Sequence, residues 1–87
     1  MKADEIFEKL EYKKKYQIYE DKVIIIGYTK EDAIAEECEI MFLKLARKVL
    51  VNIWINMQEL QAINKKCEEL GWLDKNIKEL NKWKCLF

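Results

Sequence analysis

The sequence of 87 residues contains no histidine, no proline and no serine, and it has one threonine, one arginine and two glycines. Without serine and histidine, the chain cannot form a Ser-His-Asp triad, a Cys-His dyad or a histidine-ligated metal site. Arg47 alone gives little means of reading guanine by bidentate hydrogen bonds. The 16 basic residues balance the 16 acidic ones, and this neutrality argues against a general nucleic-acid or membrane-surface binder.

Size and composition indicate one small globular domain spanning residues 1–87. Apolar residues make up 51% and charged residues 37% of the chain, a balance typical of a folded protein. A domain of this size holds one modest core and has no room for a deep cofactor cleft. No pair of acidic residues stands in a sequence pattern typical of a catalytic site, so we expect no enzymatic activity, no cofactor and no metal.

The sequence contains no segment typical of a membrane-spanning or a secreted protein. The longest aliphatic run, Val23–Ile26, is far shorter than the roughly 18 residues of a membrane span. Acidic residues follow directly after the first three positions, and the N-terminus lacks the apolar run of a signal peptide. We therefore expect a soluble, cytoplasmic protein with no membrane partner.

The three cysteines, Cys38, Cys67 and Cys85, are odd in number and widely spaced. No Cys-x-x-Cys motif occurs, so neither a zinc knuckle nor a redox pair is supported. We expect reduced thiols, two of them packed as small hydrophobic side chains. A reactive Cys85 near the C-terminus is the alternative.

The clearest predicted element is a helix over 57–70. Asn56 is a favourable N-cap, and Glu59 three residues later completes a capping box. Gly71 stands where a left-handed C′ residue ends a helix, and Trp72 can pack back on the last turn. The apolar stripe expected to face the core consists of Leu60, Ile63, Cys67 and Leu70.

Two shorter helices are predicted over 3–10 and about 74–84. In the first, Ile6, Phe7 and Leu10 recur at helical spacing behind acidic residues that suit the helix N-terminus. In the second, Asp74 is the expected cap and Ile77 and Leu80 form the inner face.

The β-branched and aromatic stretch Val23–Tyr28 predicts a strand that is buried on at least one face. Gly27 within it indicates a bulge or a close backbone approach. The polar residues 11–22 before it are interpreted as a connector, with a short strand at Tyr16–Tyr19 as an option.

The following region is ambiguous between a helix and a hairpin. Thr29 with Asp32 resembles a capping box, and apolar residues at helical spacing favour a helix over 30–47. Alternation with a period of two favours instead a hairpin of 39–44 and 49–55, and we prefer the hairpin. The predicted fold is therefore α+β, a small three-stranded antiparallel sheet packed against helices in the order α-β-β-β-α-α. An exposed edge strand in so small a sheet also predicts a homodimer.

The segments Phe7–Tyr12 and Met57–Trp72 resemble parts of a group of small proteins encoded by phages and prophages of Gram-positive bacteria. The resemblance covers roughly residues 3–72 and is most specific in the helix that ends Glu69-Leu70-Gly71-Trp72. The chain departs from the group at Glu11, where glycine is frequent. The group has no assigned activity, so the resemblance implies an α-β-β-β-α order and a phage origin, with a bacterial host cell as the compartment.

Two clusters are candidates for a partner-binding site. The first is an acidic stretch that contains no basic residue between positions 31 and 39, and it consists of Glu31, Asp32, Glu36, Glu37 and Glu39. Such a stretch either mimics nucleic-acid phosphates or is a solvated surface. The second is the C-terminal tail, where Lys82 and Trp83 either bind a partner or cover the core. A third, weaker candidate is the run Tyr12–Tyr16, whose lysines are more typical of a protected strand edge.

These patterns predict a non-enzymatic phage or prophage accessory protein that acts by contact with a host or phage protein. Its most concrete form is an inhibitor of a bacterial defence system, such as an anti-CRISPR protein. The alternative is a small nucleic-acid-binding regulator that uses Lys82 and Trp83, although neutral net charge argues against nucleic acid as a partner. A structural or assembly factor is a third interpretation.

Overall fold

The computed structural model describes residues 1–73, so the predicted last helix, 74–84, lies outside the described residues. The described chain forms a four-stranded antiparallel sheet, in which the strands lie in their sequence order, with two α-helices and a short 3-10 helix between the second and third strands. The elements are α1 Ala3–Lys9, β1 Lys13–Tyr19, β2 Lys22–Thr29, the 3-10 helix Ala35–Glu37, β3 Ile40–Leu43, β4 Lys48–Val51 and α2 Met57–Glu69. The α+β class is confirmed, but the sheet has four strands and not the predicted three.

The additional strand is β1, which occupies most of the predicted connector 11–22 and contains the optional short strand Tyr16–Tyr19. It pairs with β2 along its whole length through a two-residue turn, Glu20-Asp21, in which both residues have positive φ. This is the geometry of a type I′ hairpin turn, which is usually marked by Asn-Gly or Asp-Gly. The turn here lacks glycine and the strand is rich in lysine, so neither usual sign of a hairpin is present in the sequence.

The predicted hairpin of β3 and β4 is confirmed, with a turn over 44–47 in which Arg47 has positive φ. β4 ends at Val51 and not at Ile55, because the chain bends at Ile53 towards α2. The rival helix over 30–47 does not form. Only Ala35–Glu37 is helical in that stretch, as a single 3-10 turn.

The core lies between the two helices and one face of the sheet. Phe7 of α1 stacks on Tyr28 of β2, with ring centroids 3.9 Å apart, and meets the edges of Tyr12 and Phe42 at 5.7 and 6.4 Å. α2 completes this cluster with Ala62, Ile63 and Cys67. No helix within residues 1–73 is long and apolar enough to cross a membrane.

Both ends of α2 have the predicted geometry. The side chain of Asn56 accepts from Glu59 N at 2.8 Å, and the side chain of Glu59 accepts from Asn56 N at 2.9 Å. At the other end Gly71 has φ +76°, and the amide of Trp72 donates to Cys67 O at 2.9 Å, as in a Schellman motif. The centroids of the Trp72 and Phe42 rings are 6.1 Å apart, so the residue that follows Gly71 packs against the core.

The inner face of α2 follows the predicted stripe except at Leu60. Ile63 and Cys67 are buried and Leu70 packs against the core, as predicted. Leu60 is 37% exposed, and the charged residues Glu59 and Lys66 are buried on the inner face instead. Glu59 and Lys66 can be buried because each of them has a polar partner outside α2. Glu59 accepts a hydrogen bond from the hydroxyl of Tyr12, and Lys66 donates to a carboxylate on α1. The prediction that Leu60 faces the core is therefore wrong.

Candidate functional site

The predicted acidic stretch lies on the connection between β2 and β3, residues 30–39, which we call the acidic loop. Four of its carboxylates are exposed to solvent, and the side chain of Asp32 is 91% exposed. The exposed set consists of Glu31, Asp32, Glu36 and Glu37. The other predicted site residues, Lys82 and Trp83, lie outside the described residues.

The middle of the acidic loop is anchored directly on the sheet through Gly27. Ala35 and Cys38 are buried against β2, and a Cβ atom at position 27 would lie 2.5 Å from Cys38 Sγ and 3.0 Å from Ala35 O. The predicted close backbone approach at Gly27 is thus confirmed, while the bulge of the hairpin lies at Ile24 of β2, opposite Gln17 and Ile18. Only glycine leaves room for the loop at this distance.

The first residues of the acidic loop are fixed by Thr29, which is fully buried. Its hydroxyl oxygen accepts a hydrogen bond from Glu31 N at 3.1 Å, a local turn in place of the predicted capping box with Asp32. The Cys38 thiol donates to Ile34 O at 3.3 Å. The loop is therefore tied to the sheet at its start and through its 3-10 turn, while its carboxylates point to solvent.

Glu39 differs from the other acids of the stretch. It is only partly exposed, and its Oε2 atom is buried and accepts no hydrogen bond from the residues that the structure describes. The pKa of the Cys38 thiol is raised by burial and, secondarily, by the charge of Glu39. Glu39 thus belongs to the interior side of the loop and not to its exposed set of carboxylates.

Basic residues near the acidic loop neutralise it only weakly. Lys15 Nζ lies 3.4 Å from Asp32 Oδ1, but Asp32 is almost fully exposed, and ion pairs of this kind contribute little. Lys30 lies over the ring of Tyr12, 5.1 Å from its centroid. The acidic loop therefore keeps an excess of negative charge although the whole chain is neutral.

The lysine and tyrosine run Tyr12–Tyr16 has mostly internal partners. Tyr12 is buried, and Lys14 Nζ donates to Asp4 Oδ2 of α1 at 2.7 Å. Lys14 also lies over the ring of Tyr16, 4.9 Å from its centroid. This arrangement favours the interpretation of a protected strand edge over that of a phosphate-binding surface.

Two polar contacts that the sequence did not reveal, one partly buried and one fully buried, join the helices to the sheet. Asp4 accepts from Tyr28 at 2.5 Å and from Lys66 at 3.3 Å, in addition to Lys14. Burial acts to raise the pKa of Asp4, but these hydrogen bonds and the charge of Lys66 outweigh it and lower the pKa to about 2. Each partner of Asp4 comes from a different element, so no local pattern in the sequence identifies the group.

The second contact is the hydrogen bond from Tyr12 to Glu59. Burial and this bond raise the pKa of Tyr12, and for Glu59 the bond from Tyr12 outweighs burial and lowers the pKa. The carboxylate also accepts from Asn56 N, so both of its oxygens have donors. Such a fully paired carboxylate is suited to holding Tyr12, directly before β1, against α2 and not to moving protons.

The thiols and carboxylates within residues 1–73 do not form a metal centre, since no three of them converge on one point. Cys38 and Cys67 are free and buried, and burial raises the pKa of both thiols. A raised pKa keeps a thiol protonated and unreactive. The prediction that two cysteines pack as small hydrophobic side chains is confirmed.

Comparison with protein-family models, curated proteins and solved structures finds no match to this chain. The functional interpretation therefore depends on the acidic loop and on the surfaces around it.

Proposed function

We propose that the chain is a non-enzymatic phage or prophage accessory protein that binds another protein through the acidic loop. The observation that supports this proposal is four exposed carboxylates on a loop whose backbone is fixed by buried Thr29, Ala35 and Cys38. A surface that is already ordered loses less conformational entropy when a partner binds. The loop is thus better suited to recognition than an unanchored acidic run.

The chemistry of the acidic loop fits a basic partner. Carboxylates accept charge-assisted hydrogen bonds from lysine and arginine, as phosphate oxygens do. A set of them presented on one loop can occupy a groove that normally holds a nucleic-acid backbone, and opposite charges accelerate the encounter. The proposed partner is therefore a nucleic-acid-binding protein of the host.

The partner class that we favour is a bacterial defence nuclease, which makes the chain an anti-CRISPR-like inhibitor. The phage origin in this proposal depends on the resemblance of Met57–Trp72 to phage-encoded proteins. The acidic loop supplies the mechanism, which is competition with guide or target nucleic acid for a basic channel.

The proposal is tested by expressing the chain in a bacterium whose CRISPR system restricts an infecting phage, and by measuring the plating efficiency of that phage. Expression of the parent chain should restore plating. A variant that neutralises the four exposed acids of the loop should lose this effect, with the changes Glu31→Gln, Asp32→Asn, Glu36→Gln and Glu37→Gln. Glu39 is left unchanged because its partial burial would mix an effect on stability with an effect on binding.

The matched control neutralises four exposed acids on other elements, with the changes Glu5→Gln, Glu8→Gln, Glu20→Gln and Asp21→Asn. Both variants gain the same net charge, so only the position of the change differs. Equal loss of protection in the two variants, or full protection by the loop variant, would contradict the proposal.

A gel-shift titration at low and moderate salt separates this proposal from the alternative regulator. The parent chain should shift neither DNA nor RNA, because the carboxylates of the loop repel phosphates. A shift that weakens with salt and disappears in Lys82→Glu and Trp83→Ala variants would favour the regulator, since counterion release makes phosphate contacts dependent on salt.

A further inference from the structure

The two edges of the sheet differ in their protection against pairing. The edge strand β1 carries three consecutive lysines, 13–15, and its pairing with β2 is interrupted by a bulge at Ile24 of β2, opposite Gln17 and Ile18. Both features are known means of preventing another strand from adding to an edge. The opposite edge strand, β4, begins with one exposed lysine, Lys48, and continues into the stretch 49–55, which contains no charged residue, no proline and no glycine.

The pattern of backbone hydrogen bonds between β3 and β4 shows which backbone groups of β4 face away from the sheet. Asn52 N donates to Glu39 O at 2.8 Å, so residues 48, 50 and 52 direct their amides and carbonyls towards β3. On the other side of β3, the bond from Lys44 N to Ile24 O at 2.9 Å fixes the same alternation. Val49 and Val51 therefore direct their N–H and C=O groups away from the sheet.

The side chains around this edge are unusually apolar for a surface. Leu50, on the sheet face opposite the core, is 44% exposed, and Trp54, just after the strand, is fully exposed. Ile53 between them is also exposed. Exposed tryptophan beside aliphatic side chains is typical of residues that become central in an interface.

We propose that β4 pairs antiparallel with β4 of a second copy of the chain, so that the two four-stranded sheets become one continuous sheet across a two-fold axis. A register with Val49 opposite Val51 of the second copy satisfies the outward backbone groups of both residues in both chains. In this register Leu50 lies on the axis, opposite Leu50 of the second copy, as a pair without direct backbone hydrogen bonds.

The charge of the two edges favours this self-pairing over the other combinations. Pairing β1 with β1 would bring lysines together, and like charges opposite each other destabilise a sheet. Pairing β1 with β4 would leave a free edge at each end and produce an open chain of subunits in place of a closed dimer. Pairing β4 with β4 is closed, and it brings only uncharged residues of 49–51 together. The dimer does not depend on the function proposed for the acidic loop.

The first test is the mass of the full chain in solution by sedimentation velocity over a range of concentrations. The parent should sediment as a dimer, with twice the chain mass of 10.5 kDa. Leu50→Lys places two positive charges on the axis and should raise the dimer dissociation constant by roughly 100-fold or more. The matched control is Ile18→Lys, which introduces the same charge at an exposed position of the β1 edge and should leave the dimer intact.

The second test is a cross-link that does not require a destabilising charge. A pair without direct backbone hydrogen bonds has Cα atoms about 4.5 Å apart, within the range that a disulfide spans. Leu50→Cys, made together with Cys85→Ala, should therefore form a covalent dimer under mild oxidation, and Cys85→Ala alone should not. Circular dichroism of each variant shows whether the fold is kept.

A parent chain that remains monomeric at a concentration of about 100 μM or more would overturn the proposal and leave the edge free for a strand of another protein. A dimer that survives Leu50→Lys in a folded protein, or one that Leu50→Cys fails to cross-link, would also overturn it. A dimer that Ile18→Lys breaks would place the interface at β1.

Discussion

The close contact between β2 and the acidic loop makes Gly27→Ala an informative perturbation. A methyl group at this position would lie 2.5 Å from Cys38 Sγ, 2.9 Å from Cys38 Cβ and 3.0 Å from Ala35 O. Distances of this size are well inside van der Waals contact, so the loop has to move away from the strand. The expected result is a less stable protein with a displaced acidic loop.

The magnitude follows from two opposing contributions. Gly27 does not have positive φ, so alanine can adopt its backbone conformation and would gain roughly 0.5–1 kcal/mol over glycine in an open strand. Overpacking a buried site costs roughly 1–3 kcal/mol, and here the neighbours include backbone as well as a side chain. We expect a net loss of about 1–2 kcal/mol in the free energy of unfolding.

Urea unfolding at neutral pH, followed by circular dichroism, measures this loss. Cys38→Ala combined with Gly27→Ala should recover part of it, because the sulfur is removed while Ala35 O stays in place. Gly71→Ala is the control. Gly71 has φ +76° and open space around it, so its substitution costs about 1 kcal/mol through backbone strain and shows no coupling to Cys38. A Gly27→Ala protein as stable as the parent, or more stable, would refute the close contact.

Three further perturbations test the core and its polar contacts. Ile63→Ala should cost roughly 2–4 kcal/mol in urea unfolding, whereas Leu60→Ala, at an exposed position, should cost about 1 kcal/mol or less; equal costs would contradict the observed exposure of Leu60. Tyr12→Phe should cost about 1–3 kcal/mol at neutral pH, because one oxygen of the buried Glu59 carboxylate loses its donor, and an unchanged midpoint would contradict the contact. The pKa of Asp4 is lowered from 3.8 to about 2, so its stabilisation is present above pH 4 and is lost as the pH falls through 2. Solvent screening of this half-exposed carboxylate reduces its contribution to the free energy of unfolding to about 1 kcal/mol. Asp4→Asn should remove both this contribution and its loss at low pH. Thermal unfolding measured between pH 2 and 7 would show both effects.

The sequence predicted the elements whose signals are local. The capping box at Asn56 and Glu59 and the stop at Gly71 depend on residues within one helical turn, and both have the predicted geometry. The hairpin of β3 and β4 was predicted from alternation with a period of two. β1 was predicted only in part, as an optional strand at Tyr16–Tyr19, because an edge strand with one open face does not need apolar alternation and its lysines are typical of a connector.

The errors at the site have a different cause, since they depend on contacts between distant segments. Leu60 was expected to face the core because it continues the apolar stripe, but the helix instead buries Glu59, whose partner Tyr12 is 47 positions away. Glu39 was grouped with its acidic neighbours, although the fold buries one of its oxygens. A stretch of like charges in the sequence shows the composition of a surface, and the fold decides which members reach it.

The order in which the described elements pair has a consequence for synthesis on the ribosome. Each strand pairs with the strand next to it in sequence, so the sheet can form hairpin by hairpin as the chain emerges. α1 is made first, yet Ala3 N donates to Glu69 at the far end of α2, and Asp4 contacts Lys66. The aromatic face of Phe7, Tyr28 and Phe42 therefore stays open until α2 has left the exit tunnel. Nascent chains that stop before residue 66 should be aggregation-prone and protease-sensitive, with the N-terminal helix undocked.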